Sequence, residues 1–204
     1  MLEVRNLGVA FETSLFTDLS FSVADDETIA LLGPSGAGKS SLLRAIAGLI
    51  PIRSGSVMVN GRDLASTAPH KRGIGLVFQD NALLPHLTVG ENIEYGLRSQ
   101  RRSRQERNKI VTELLHMMKI EALAKRRVDT LSGGEAKRVA VARTLAPRPA
   151  VVLLDEPLTG LDQTTYEPVL NDVMMMLRSS HASAIWVTHD ETEAARVAKR
   201  IIRL

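Results

Sequence analysis

The chain has 204 residues, 44% of them hydrophobic and 24% charged, with a formal net charge of +3. That length and balance describe an ordinary soluble globular chain, a domain with room for a subdomain, while the absence of cysteine excludes a disulfide framework and a thiolate metal site. The apolar runs are strand-length, far below the roughly 20 residues that span a bilayer; no signal-peptide pattern opens the chain, and the modest positive charge does not demand nucleic acid.

In chain order, residues 2–9 and 19–23 read as N-terminal antiparallel strands. Residues 28–32 make a short apolar strand that runs into the glycine-rich stretch Gly33-Pro34-Ser35-Gly36-Ala37-Gly38-Lys39-Ser40-Ser41. Helical periodicity follows over 39–49 and stops near Pro51. Residues 54–61 read as turn, strand and turn, with Asn60-Gly61 as a hairpin signal, and 74–78 as a buried strand. Between about 87 and 146 the pattern is helical. Ser103 and Glu106 form a capping box, after which Ile110, Val111, Leu114, Leu115 and Met118 share one helical face. The arginines of this stretch, from Arg98 to Arg107, read as a solvated surface. Beyond Pro149 the alternation returns, with strands at 151–154, 184–187 and 201–204 and helices at 164–177 and 190–198. Pro168 should kink the first of these helices unless it starts late.

Strand, glycine loop, helix, a helical insertion and then strand–helix–strand imply a largely parallel α/β core with a helical subdomain. The expected division places residues 1–85 and 147–204 in the core lobe and 86–146 in the helical lobe, all within one domain.

Gly33, Gly38, Lys39 and Ser40 meet the spacing G-x-x-x-x-G-K-[ST], which arises by chance in about one chain in a hundred of this length. The context narrows the odds further, because an apolar strand precedes it and an amphipathic helix follows. Glycines let the backbone wrap so that successive N–H groups point into one cavity, and the helix adds its positive N-terminal end. Lys39 can then reach the β- and γ-phosphates of a nucleotide, and the Ser40 hydroxyl can ligate Mg²⁺. Asp155-Glu156 ends the apolar strand beginning at Val151. In that position Asp155 can hold Mg²⁺ directly or through water, and Glu156 can orient or deprotonate an attacking water. The chain is read as binding and hydrolysing ATP.

Leu131-Ser132-Gly133-Gly134-Glu135 opens a basic helix and also reads as a capping box. With the residues above, this stretch resembles the ATP-binding-cassette (ABC) ATPases, whose signature is LSGGQ. The family has Gln where this chain has Glu135, which adds a negative charge near the phosphates. The resemblance implies a P-loop NTPase (RecA-like) core with N-terminal antiparallel strands and a helical subdomain. It gives Gln79 the role of reaching Mg²⁺ and the attacking water, Leu161-Asp162 a place at a dimer seam, and His189 a contact with the γ-phosphate. It assigns adenine stacking to an aromatic at Phe11, with Phe16 as a rival.

The resemblance further implies a head-to-tail dimer, each ATP lying between residues 33–41 of one copy and Ser132, Gly133, Gly134 and Glu135 of the other. The segment Phe78–Ile93, with its Leu-Pro-His-Leu-Thr-Val run, is similar to importer ATPases for thiamine, polyamines, sulfate, iron and sugars. The expected partners are a second, identical ATPase subunit, transmembrane permease subunits and a solute-binding protein, with no nucleic acid. The expected location is the cytoplasmic face of a cell membrane, held peripherally. An exporter or lipid-transport motor, and a soluble switch acting on nucleic acid or protein, stay open. A GTPase is disfavoured because no Asn-Lys-x-Asp motif occurs.

Overall fold

The computed structural model describes the backbone of residues 1–11 and 13–204, and the side chains of residues 10–16 lie outside what it describes. Contacts gather the chain into two compact units, one of residues 1–76, 150–156 and 181–204 and one of residues 77–149 and 157–180.

In the first unit, β1 (Leu2–Phe11) pairs antiparallel with β2 (Thr13–Val23) on one edge and with β4 (Ser54–Val59) on the other. Asn60 and Gly61 then turn the chain into the short β5 (Arg62–Asp63). Both turn residues have positive φ, 51° and 75°, the left-handed geometry that such a tight hairpin requires. The second sheet uses β3 (Thr28–Leu32), β6 (Ile74–Val77), β7 (Val151–Asp155), β8 (Ser183–Thr188) and β9 (Arg200–Arg203), in the order β6-β7-β8-β3-β9. β3 runs parallel to β8 and β9, and β7 runs parallel to β8. Every residue of β7 and β8 is buried, which explains why both strands read as unbroken apolar runs rather than alternating ones.

The helix α1 (Lys39–Ala47) packs against β1 and β7. Leu42, Leu43 and Ile46 are fully buried in one cluster with Leu2, Val4, Leu31, Leu153 and Ile185. Gly48, at φ 79°, ends the helix with Schellman-type bonds, Gly48 N–H to Ala45 O and Leu49 N–H to Arg44 O. The Arg72 guanidinium lies over this end and donates to the Ile46 and Thr67 carbonyls, at 2.9 and 3.0 Å. A cation there complements the negative end of the helix.

The second unit is built on capped helices. α2 (Val89–Glu94), α3 (Arg104–Met117) and α4 (Gly133–Leu145) each start with a complete capping box: Thr88 with Glu91, Ser103 with Glu106, and Ser132 with Glu135. On α3, Ile110 and Leu115 are buried, as is Met118 just beyond it, while Val111 and Leu114 are half-buried. Arg98 and Arg107 both pair with Glu94.

The last helix of this unit, α5 (Gln163–Ser180), packs against α4. That packing gathers 157–180 with the helical segment, where the sequence reading had assigned 86–146 alone. Asp172 on α5 is 2% exposed, and Lys119 and Arg138 hold it at 2.8 and 2.9 Å. Two cations satisfy a carboxylate that would be costly to bury unpaired. Gly134 abuts Thr165 so closely that a Cβ there would overlap its Cγ2. Pro168 occupies the second turn of α5, and the helix continues unbroken to Ser180. The proline forfeits the backbone bond to the Thr164 carbonyl, on an exposed turn.

Candidate functional site

Parallel register brings three strand ends together. Leu32 at the end of β3 pairs with Thr188, and Asp155 at the end of β7 pairs with Val187. The loop after β3, the Asp155-Glu156 pair and His189 therefore leave the sheet side by side at its carboxyl edge, where open α/β sheets bind ligands.

The loop wraps as its glycines allow, with Gly36 at φ 85° and Gly38 at φ 84°. Lys39 is only 5% exposed, and its Nζ donates to the carbonyls of Gly33 and Pro34, at 2.7 and 2.9 Å. Its ammonium is thus held inside the loop, where the low dielectric strengthens attraction for an anion. The next residue, Ser40, donates its hydroxyl to Asp155 Oδ1 at 2.8 Å, across 115 positions of sequence. Burial pushes the Asp155 carboxyl above its ordinary value, opposed by the Ser40 hydrogen bond and by the charges of Arg44 and Lys39.

Glu156 has φ 43°, a left-handed conformation that a non-glycine residue rarely adopts, and its N–H bonds to the Val187 carbonyl at 3.2 Å. Strain of this kind costs of order 1–3 kcal/mol and is retained where it serves a site. Here it turns the Glu156 carboxylate toward the loop, with Oε1 3.9 Å from Lys39 Nζ and 3.4 Å from His189 Nδ1. The expected residues Lys39, Ser40, Asp155, Glu156 and His189 are therefore brought together in the first unit.

Ser40 and Asp155 offer hard oxygen donors, the type that Mg²⁺ takes. Among the described residues no group of three or more His, Cys, Asp or Glu forms a protein-only metal cage. A partial oxygen set fits a cation that keeps waters and phosphate oxygens as its remaining ligands.

Gln79, Ser132–Glu135 and Asp162 lie in the second unit. The Ser132 N–H donates to Glu135 Oε2 at 2.7 Å, and Ser132 Oγ accepts from the Glu135 N–H at 3.3 Å. The Glu135 carboxyl is held below its ordinary value, chiefly by the Ser132 backbone bond, with Arg126 and Arg138 adding to it. The extra charge relative to glutamine is thus engaged in the cap. The two glycines differ: Gly134 is buried against Thr165, whereas Gly133 is exposed, with Leu161 Cδ2 3.6 Å from a Cβ position. Phe11 and Phe16 lie outside the described side chains.

The Asp162 carboxyl is pulled down to about 2 by the hydroxyls and N–H groups of Thr164 and Thr165, which hold it at the start of α5. A depressed carboxyl stabilises the fold above its unfolded value near 3.8, and this contribution disappears as pH falls through about 2. NMR titration of the Asp162 carboxyl is expected to show a midpoint of about 2; a midpoint near that of a free aspartate would mean that the Thr164–Thr165 cap is not formed in solution.

Two residues that bear on this arrangement escaped the sequence reading. Lys137 Nζ donates to the Gln79 carbonyl at 2.7 Å, and Arg143 donates to the Asn81 and Ala82 carbonyls. The only sequence signal was the basic character of the helix after Glu135.

The profile of a family described as ABC transporter matches residues 16–159. The ferric-ion import ATP-binding protein FbpC of Streptomyces avermitilis is 46% identical over 184 residues, which is 90% of this chain and 53% of that protein. The spermidine/putrescine import ATP-binding protein PotA of Haemophilus influenzae is 37% identical over 205 residues, 100% of this chain and 55% of that protein. The chain spans about half the length of these curated relatives. A solved dimeric ATP-binding cassette in a post-hydrolysis state, bound to ADP and Pi, superposes with a TM-score of 0.87 at 30% identity, covering 100% of this chain and 94% of that one.

Proposed function

The chain belongs to the ABC transporter family, and on that footing we propose that it is the ATP-hydrolysing motor of a membrane transporter, working as a head-to-tail dimer of two copies. The observation that carries this reading is the Ser40–Asp155 hydrogen bond beside a Lys39 ammonium enclosed by the glycine loop. It joins the phosphate-binding loop to the acidic strand end, the pairing that phosphoryl transfer from a nucleotide requires.

Residues 33–41 receive the phosphates of ATP, the backbone N–H groups and the α1 N-terminus supplying positive potential. Lys39 neutralises charge on the β- and γ-phosphates. Glu156 accepts a proton from a water as that water's oxygen bonds to the γ-phosphorus and the bond to the bridging oxygen of ADP breaks. His189, beside Glu156, contacts the γ-phosphate, and Gln79 orients the water. Mg²⁺, held by Ser40 and Asp155, would draw negative charge from the phosphate oxygens. Ser132, Gly133 and Gly134 of the second copy close over the γ-phosphate with the N-terminal end of their α4 helix. Phe11 remains the proposed adenine-stacking residue.

No helix among the described residues is long and apolar enough to cross a membrane, so we assign attachment at the cytoplasmic face to permease partners. The importer reading rests on relatives named for ferric-ion and for spermidine/putrescine import. Relatives that share the cassette yet differ in solute support leaving substrate choice to the membrane and capture subunits. Co-purification with a multi-span membrane protein tests the transporter reading; a chain that hydrolyses ATP in cells without such a partner argues for a soluble switch.

The composite site is tested by Ser132→Arg. A bulky cation at the N-cap removes the cap and obstructs the partner's phosphates, so ATP turnover should fall by about 100-fold or more, the scale of losing one preorganised anion-stabilising donor. ATP binding to the single chain, read by a fluorescent nucleotide, should stay intact. Normal turnover would argue against a shared site.

A further inference from the structure

The chain has a single tryptophan, and it lies behind the candidate site. Ile185 and Val187 of β8 belong to the core cluster that holds α1, so Trp186 between them faces the other side of the sheet. There it meets α6 (Glu191–Val197), which packs against β3 and β8. Trp186 is fully buried, and its Nε1–H donates to Glu193 Oε1 at 2.6 Å. Glu193 is itself only 7% exposed. A carboxylate is costly to bury, and a leucine on this helix face would cover the sheet without that cost. Stability alone is therefore a poor reason for the pair.

Its place in the chain gives it another use. His189 and Asp190 alone connect Thr188, the last residue of β8, to the first residue of α6. The Asp190 N–H donates to Thr188 Oγ1 at 3.1 Å, across His189, and Asp190 Oδ1 accepts from the Glu193 N–H at 2.9 Å. The Trp186–Glu193 bond joins the same helix back to the strand, so strand, connector and helix form a closed circuit of bonds. Thr188, like Trp186 and Glu193, is buried within it. The His189 side chain turns outward instead, 55% exposed, with Nδ1 3.4 Å from Glu156 Oε1. A connector this short has no slack, so a shift of α6 along the sheet would swing the imidazole away from Glu156.

We infer that Trp186 and Glu193 are positioning residues for the ATPase reaction, their buried bond fixing α6 against β8 and thereby holding His189 beside Glu156. They act on His189 through the connector, from behind the sheet, rather than on the nucleotide. The inference rests on the proposed contact of His189 with the γ-phosphate.

The test compares Glu193→Leu, Glu193→Gln, the double variant Trp186→Phe/Glu193→Leu and His189→Ala in the full chain. Glu193→Leu leaves the buried indole N–H short of its partner, whereas removing donor and acceptor together is close to neutral for stability. The double variant should therefore melt near the wild type. Its kcat for ATP should nonetheless fall by about 10- to 100-fold, the range for misplacing a positioned group. Its affinity for ADP, which lacks the phosphate that His189 is proposed to contact, should not change. Glu193→Leu should lose as much turnover, while Glu193→Gln, which keeps the acceptor oxygen, should retain most of it. In NMR spectra the His189 imidazole signal should move in the double variant. Wild-type kcat in the double variant overturns the inference, as does an imidazole signal that stays in place or a Glu193→Gln variant no faster than Glu193→Leu. A double variant in which melting temperature, ADP affinity and kcat fall together overturns it in favour of a packing role. Wild-type turnover by His189→Ala overturns the role of His189 itself, and the imidazole signal separates that failure from failure of the Trp186–Glu193 bond to position it.

Discussion

Glu156→Gln is expected to bind ATP, lose hydrolysis by about 1,000-fold, within the range for removing a general base, and accumulate as an ATP-bound dimer. The amide keeps the shape of the side chain, so the left-handed turn at Glu156 and its N–H bond to Val187 are preserved. What is lost is a carboxylate 3.9 Å from Lys39 and 3.4 Å from His189, the group proposed to take the proton from water. In the proposed dimer, a nucleotide that is not hydrolysed continues to bridge the two copies, so the closed form should persist. Phosphate release and size-exclusion chromatography in ATP read both effects. Wild-type phosphate release by this variant would remove Glu156 from its role.

Lys39→Ala should weaken ATP binding by about 100-fold, since a buried charge-assisted contact contributes about 3 kcal/mol and each 1.4 kcal/mol is tenfold in affinity. The loss has two parts. The ammonium no longer faces the phosphates, and the Gly33 and Pro34 carbonyls lose the bonds it makes to them at 2.7 and 2.9 Å, Pro34 keeping its bond from the Ala37 N–H. Lys39→Met retains the apolar stem and removes the ammonium, so it should bind ATP as poorly as the alanine variant and show that the charge, not the packing of the stem, carries the loss. Isothermal titration decides the matter, and an unchanged dissociation constant in both variants contradicts the assigned phosphate contact.

Much of the candidate site is legible in the sequence because its signals are local. The glycine loop is a contiguous run whose left-handed positions, Gly36 and Gly38, only glycine adopts freely. The capping boxes at Ser103–Glu106 and Ser132–Glu135 are reciprocal bonds across three residues, and both form as read. The apolar runs at 28–32 and 151–154 identify strands because parallel strands are buried on both faces.

Other features depend on residues remote in sequence. The left-handed turn at Glu156 follows from no propensity of glutamate, and its N–H is tied to the Val187 carbonyl of the neighbouring strand. Asn81 and Ala82 are both left-handed, and their carbonyls are held by Arg143, 62 and 61 positions away. Pro168 does not end α5, which continues from Gln163 to Ser180 around it. The grouping of 157–180 with the helical segment likewise depends on the close approach of Gly134 to Thr165 and on the Arg138–Asp172 pair.

The sequence by itself determined the local elements on which the proposed chemistry rests: a glycine loop, two carboxylates after a buried strand, a capped glycine helix start, and their order along the chain. These rest on interactions within three or four residues, which any folded context preserves. Only the tertiary structure decided that Ser40 meets Asp155, that Glu156 turns toward Lys39 and His189, and that α4 grips the loop after Gln79. Those contacts depend on strand register and helix packing, and both are set by burial summed over the whole core rather than by any segment alone.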